Sequence, residues 1–132
     1  MILDTSFLVA LDAGESGARA TAGELEASDA PLRIPTMAVQ ELYVAVGLGA
    51  NAGDNARKFE SLLANKPVVP LSDSIARKAG VLEGEHIASD AKPDLGPADA
   101  VVAATGLEHN EAVVTTDASD FETVDGLDVL TP

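Results

Sequence analysis

A chain of 132 residues is short enough for one domain and long enough to bury a core without covalent staples. It has no cysteine, which excludes disulfides, thiolate zinc sites and cysteine nucleophiles and leaves oxygen ligands and two histidines, His86 and His109. The formal charge of −14 is uneven, with twelve acids and one base (Lys92) from Glu83 onward against ten acids and seven bases before it.

Met1-Ile2-Leu3 reads as a short buried strand running into Asp4, Thr5 and Ser6. It delivers one carboxylate to its C-terminal end, which is where ligands bind in open α/β sheets. Thr5 to Asp12 then reads as a helix with Phe7, Leu8 and Leu11 inward, closed by Ala13-Gly14. Ser16 to Ser28 follows as an alanine-rich helix anchored by Leu25. Prolines bracket a strand from Pro31 to Pro35 and exclude helix at both edges. Thr36 is placed to cap a helix from Met37 to Leu48, packed through Met37, Val39, Leu42 and Val46. Asp54 is placed to cap the next, which runs through Asn65 with Phe59, Leu62 and Leu63 inward. Pro67 to Leu71 repeats the proline-bracketed strand. Ser72 then caps a longer helix whose apolar positions, Ile75, Ala79, Leu82 and Ile87, follow a helical period. Ala91 to Gly96 is a polar loop, and Gly96-Pro97 opens a helix in which Ala98 to Leu107 is apolar nearly all round. Ala112 to Thr115 is another buried strand, Thr116 to Glu122 a turn, and Leu127 to Leu130 a last edge strand. Short apolar strands alternating with helices predict an α/β fold, a parallel sheet covered by helices on both faces, over a single domain spanning 1–132.

The regular apolar stretches of the acidic half argue against a disordered tail. Dispersed acids with few lysines suit a halophile surface, since a Debye length of ~3 Å at ~1 M salt screens self-repulsion. With no basic leader and no apolar run near the ~18 residues of a membrane span, a cytoplasmic protein without membrane contact is expected.

Four acids break the rule that buried elements avoid charge. Asp4 ends the first strand, Asp99 sits in the first turn of the most apolar helix, and Glu41 lies one turn into an apolar helix beside Leu42 and Tyr43. Asp117 follows the strand Ala112 to Thr115, with Asp120 close behind. Singly, each has a structural explanation as a helix cap or as a complement to a helix dipole. Gathered at one rim, they need a cation or shared protons, because two carboxylates ~4 Å apart repel by roughly 4 kcal/mol at an effective dielectric of 20. With oxygen ligands only, Mg²⁺ or Mn²⁺ is the natural ion.

The ordered set Asp4-Thr5-Ser6, Glu41, Ala98-Asp99 with Val101 to Thr105, Thr115-Thr116-Asp117 and Asp120-Phe121 resembles the PIN-domain ribonucleases, and most of all the VapC-like toxins of type II toxin–antitoxin pairs. The resemblance covers essentially the whole chain. It implies a short parallel sheet in order 3-2-1-4-5 and an acidic quartet, Asp4, Glu41, Asp99 and Asp117, around a metal held most directly by Asp4 and Asp99, with Asp117 a further ligand or acting through water. It makes Ser6 and Thr115 supporting hydrogen-bond partners and leaves Asp120 either in the site or ordering its own turn. The implied reaction is metal-assisted hydrolysis of an RNA phosphodiester, with a structured substrate such as tRNA. A small antitoxin covering the acidic site and a homodimer are the implied protein partners, with apolar surface for them on the helices of the first half. Neither histidine is needed, and both are expected in surface or capping positions.

Basic side chains should supply phosphate contacts, and Arg57-Lys58 and Arg77-Lys78 are the only basic pairs. Haloacid-dehalogenase-like phosphatases need a second acid where Ser6 stands, and response-regulator receivers need a late lysine, yet none follows Lys92. A PIN-like interaction module without activity would show lost acids, and none is lost. A housekeeping RNA-processing nuclease is distinguished from a toxin by the absence of a neighbouring antitoxin gene.

Overall fold

Helix and strand alternate from the N-terminus onward. β1 (Ile2–Leu3) leads into α1 (Thr5–Asp12) and α2 (Ser16–Ala27), and β2 (Ile34–Pro35) into α3 (Thr36–Gly47) and α4 (Ala52–Leu63). β3 (Val68–Val69) leads into α5 (Asp73–Ala88) and α6 (Pro97–His109). β4 (Val113–Val114) continues through a 3₁₀ turn, Ala118–Asp120, to β5 (Val129–Leu130). These are the helices and strands among residues 1–49 and 51–132, which the computed structural model describes. None of the described helices is long and apolar enough to cross a membrane.

All strand pairings are parallel, with Ile2 opposite Val113, Val113 opposite Val129, and Ile34 opposite Val68. The expected single sheet in order 3-2-1-4-5 is not what the pairing gives. There is a three-stranded sheet, β1-β4-β5, and a two-stranded one, β2-β3. The two meet at an isolated bridge between Ile2 and Arg33. Proline explains the break. Arg33 donates to Met1 O at 2.9 Å and accepts from Leu3 N at 2.9 Å, and the next rung would need an N–H at Pro35, which has none.

The strands are buried on both faces, as parallel strands usually are. Ile2 and Val113 face one core with Ile75 and Ala79 of α5, Val102 and Ala103 of α6, and Phe121. Leu3 and Val114 face the other with Phe7 and Leu8 of α1, Leu25 of α2, Leu42 of α3 and Phe59 of α4. This alternation fixes the strand ends, because a slip of one residue would exchange the two faces. Helix α6 runs close against β4. A Cβ on Gly106 would stand 2.9 Å from Leu127 Cδ1 and 3.0 Å from the Glu111 carbonyl oxygen, so only glycine allows this approach. At the end of α1, Gly14 takes φ 76°, a left-handed turn that lets Glu15 N reach Ala10 O at 3.0 Å.

Three local expectations are corrected. Thr36 is the first residue of α3 rather than its cap, and its hydroxyl donates to Val69 O of β3 at 2.8 Å. Asp54 lies inside the first turn of α4, which starts after the left-handed Asn51, and it pairs with Arg57. In α5 the inward stripe is Ile75, Ala79 and His86; Ile87 is 63% exposed and His86 only 2%. The expected surface place for His86 is therefore wrong, whereas His109 is exposed.

Candidate active site

Asp4 follows β1 directly and Thr115 follows β4 directly, and the two strands are hydrogen-bonded neighbours (Asp4 N to Val114 O, 3.0 Å). Sheet pairing alone therefore brings the start and the end of the chain to one rim. Asp4 occupies the cap position of α1, yet its side chain caps no helix N–H. Both Ser6 Oγ and Thr115 Oγ1 instead donate to Asp4 Oδ2 at 2.9 Å. The two hydroxyl oxygens also lie 2.9 Å apart, but each has one proton to give, and a carboxylate is the stronger acceptor. Each hydroxyl in turn accepts a backbone N–H, Ser6 from Thr116 at 3.1 Å and Thr115 from Asp117 at 3.0 Å. Asp4 is 6% exposed and Thr115 fully buried. One carboxylate oxygen is thus saturated by the fold, and Oδ1 is left to bind something else.

The remaining acids come from three separate elements. Asp99 stands in the first turn of α6, where the helix dipole would favour its charged form. Its carboxyl is nevertheless pushed up to about 6, first by burial and then by the charges of Asp120, Asp4, Glu41 and Asp117. All four other acids are close enough to Asp99 for their charge to oppose its ionisation. Glu41, on α3, is raised by burial and by Asp4, against the opposing hydrogen bond that Thr5 donates to its Oε1 at 3.1 Å. Asp120 is raised by desolvation, then by Asp117 and Asp4. Asp117 and Asp120 come from the segment that leaves β4.

The structure therefore gathers Asp4, Glu41, Asp99, Asp117 and Asp120, with Ser6 and Thr115 beneath Asp4. Asp120 belongs with the others, and its charge is the strongest of the four acting on Asp99. Two participants had no sequence signal of their own: the Thr5 hydroxyl that holds Glu41, and the Thr116 amide that holds Ser6. The hydroxyl run after Asp4 was visible, but not its division of labour, with Thr5 turned to α3 and Ser6 to β4.

The donor set is oxygen-only, and among the described residues no lysine or arginine pairs with any of these acids. Such a set suits a hard divalent cation, which relieves mutual repulsion without needing nitrogen or sulfur. The carboxylates converge without forming a finished cage, as no three acids or histidines among the described residues are arranged to clasp an ion. Glu41, Asp117 and Asp120 are exposed, and Thr5 holds Glu41 at one oxygen. The site is an open rim. A concavity of about 610 Å³ lined by Pro31, Asn65, Lys66 and Pro67 lies elsewhere, by the opposite ends of β2 and β3.

Comparison with known proteins agrees with this architecture. No curated protein matches the chain by sequence. Among solved structures, VapBC2 from Rickettsia felis, bound to a promoter DNA fragment, is similar with a TM-score of 0.87 and 19% identity, over 99% of this chain and 97% of that one. A toxin–antitoxin complex from Klebsiella pneumoniae is similar at 25% identity and a TM-score of 0.75, over 99% and 96%. VapC20 of Mycobacterium tuberculosis, a toxin that cleaves the sarcin–ricin loop, matches at 16% identity and a TM-score of 0.60, over 87% and 86%. The PIN domain profile matches residues 1–127, nearly the whole chain and all five converging acids, so the chain belongs to the PIN-domain family.

Proposed function

We propose that this chain is a divalent-metal-dependent endoribonuclease, one nuclease domain over 1–132, and the toxin of a toxin–antitoxin pair acting on structured RNA such as tRNA. The observation that carries the reading is the convergence of five carboxylates on one open rim, with Asp4 held at Oδ2 by Ser6 and Thr115. Asp4, Asp99 and Asp117 would hold the ion. When bound there, Mg²⁺ or Mn²⁺ supplies positive charge against the phosphodiester and lowers the pKa of an attacking water. Glu41, fixed at Oε1 by Thr5, keeps Oε2 to accept that water's proton. Asp99, whose carboxyl is raised to about 6 by burial and the neighbouring acids, would have to be ionised to serve as a ligand.

The similar structures from Rickettsia felis and Klebsiella pneumoniae are complexes with antitoxins, which supports a small protein partner here. Exposed apolar side chains support the same reading. Val44 on α3 and Leu48 just past its end are 56% and 79% exposed, and they continue the line of Glu41 along the helix. They suit an antitoxin or a second copy of the chain, acting in the cytoplasm. Basic side chains are largely occupied, since Arg33, Arg57, Arg77, Lys78 and Lys92 all pair with acids. Sparse free cations favour a selected substrate over RNA in general.

The test is to sequence RNA 5′ ends after expression of wild type and Asp99→Asn, with Mn²⁺-dependent cleavage by Asp4→Asn measured in parallel. New 5′ ends should appear with wild type alone. Full activity in either folded variant would remove the proposed site.

A further inference from the structure

His86 has no part in the acidic site, yet it is among the most deeply buried polar side chains of the molecule, at 2% exposure in the last turn of α5. Its Nδ1 lies 3.2 Å from the carbonyl oxygen of Pro93. A carbonyl only accepts, so Nδ1 carries the proton and donates it. Pro93 belongs to the 89–96 loop, whose far end is the start of α6. That start has no side-chain anchor, because the cap residue is Gly96 and Pro97 takes the first helical position. Asp99 follows two residues later, so the loop leads directly into the turn that carries this acid.

The loop's other ties are lighter or less specific. Ser89 Oγ accepts from Ala91 N and Lys92 N at 3.2 and 3.1 Å, which shapes the loop internally. Lys92 Nζ meets Asp125 Oδ2 at 3.0 Å, but Asp125 is 94% exposed, and such pairs contribute little. Leu95 is 4% exposed and packs into the core, a contact without direction. The directed tie that joins the loop to another element through a buried side chain is the one from His86.

We propose that His86 is a positioning residue, a latch from α5 to the Pro93 carbonyl that sets the start of α6 and through it the place of Asp99. The consequence for metal rests on the nuclease reading, but the latch itself does not. His86→Phe keeps the ring and removes the donor, whereas His86→Asn keeps a donor near the place of Nδ1 and removes ring volume. Two measurements separate the claims: amide hydrogen exchange over 94–100, and Mn²⁺ affinity followed by the spectroscopic signal of the free ion. In His86→Phe, exchange over 94–100 should rise about tenfold and Mn²⁺ affinity should fall about tenfold, the scale of changes in outer partners of metal ligands. His86→Asn should stay within about threefold of wild type in both. If the phenyl ring prevents folding, His86→Leu takes its place. Unchanged exchange in the donorless variant would overturn the latch, as would an Asn variant no better than Phe. Raised exchange with unchanged Mn²⁺ affinity would overturn the link to Asp99. A wild-type protein that binds no Mn²⁺ would instead defeat the nuclease reading, with exchange still deciding the latch.

Discussion

Replacing Asp99 with asparagine should stabilise the metal-free protein at neutral pH, and by a calculable amount. In the fold its carboxyl is raised from 3.8 to about 6, by burial first and then by four neighbouring carboxylates. The folded state therefore holds this proton more tightly than the unfolded chain does. Ionising Asp99 costs nothing extra below the unfolded value near 4, and the cost grows as pH rises until it is complete above about 6. If the group were dry, the raised value would correspond to about 3 kcal/mol. Asp99 is only half-buried, so solvent screening reduces this to roughly 1 kcal/mol. For a domain of this size, that is about 4 °C in melting temperature. Melting in the presence of a chelator tests it. Asp99→Asn should melt about 4 °C above wild type at pH 7.5 and level with it near pH 4. Millimolar Mn²⁺ should raise wild type and leave the variant nearly unmoved. A variant less stable than wild type at pH 7.5, or a gain independent of pH, would refute the view that Asp99 stands in a field of like charge.

The packing and hydrogen bonding allow three further predictions. Thr115→Val keeps shape at a fully buried position but removes one donor to Asp4 Oδ2 and the acceptor for Asp117 N; unfolding in urea should show a loss of roughly 1–2 kcal/mol, and steady-state kinetics about a tenfold lower kcat with KM nearly unchanged. Gly106→Ala places a Cβ 3.0 Å from the Glu111 carbonyl oxygen and should cost roughly 1–3 kcal/mol in the same unfolding assay, with an unchanged midpoint contradicting the close approach of α6 to β4. Burial is the largest influence on Glu111 and pushes its carboxyl up, but the α-amino group and Arg33 together outweigh it and hold the carboxyl below the usual range. Arg33 Nε lies 2.7 Å from Glu111 Oε1 without a well-directed hydrogen bond, so this contact is mainly Coulombic. A lowered carboxyl stabilises above its unfolded value and loses that contribution as pH falls through its folded one. Glu111→Gln should accordingly cost roughly 1 kcal/mol at pH 7, and titrating the melting temperature should show the gap closing in acid.

The acids were legible because each interrupts an apolar pattern at a place with a fixed direction. Asp4 and Asp117 follow buried strands, and Asp99 and Glu41 sit in helices with few other charges. What those patterns do not encode is contact across the chain. Thr5 meets Glu41 across 36 residues and Ser6 meets Thr115 across 109, and nothing local says which hydroxyl turns to which acid. The inward stripe of α5 departs from the hydrophobic pattern for a physical reason. Positions 75, 79, 82 and 86 step around a helix by four, three and four residues, which keeps one face. Hydrophobicity drew the stripe to Ile87 instead, because a histidine among Glu83, Glu85 and glycines looks like surface. The ring is tolerated inside because Pro93 O satisfies its donor. The ladder between β1 and β2 stops at Pro35, where the strand was visible but the missing rung depended on which carbonyl it would face.

The acidic rim also shows how a fold can tolerate five like charges before any cation is present. Only Asp4 is both buried and immobile, and the hydroxyls of Ser6 and Thr115 replace its lost hydration on one oxygen. Asp99 stands on the most buried helix, and its repulsion is relieved by holding a proton to about pH 6. Glu41, Asp117 and Asp120 remain exposed, where water and salt screen them. The result is one carboxylate held by two hydroxyls, one that can neutralise itself and three at the surface, of which Glu41 is tied to Thr5. In the proposed reading, a cation would meet a site already anchored at Asp4 Oδ1 and would complete it by drawing in side chains that the metal-free fold keeps apart. A cage finished in advance would leave the same charges at ion-binding distance with nothing between them, at a cost of several kcal/mol per pair. An open rim around one firmly held carboxylate is therefore an arrangement that a stable fold of this composition can hold.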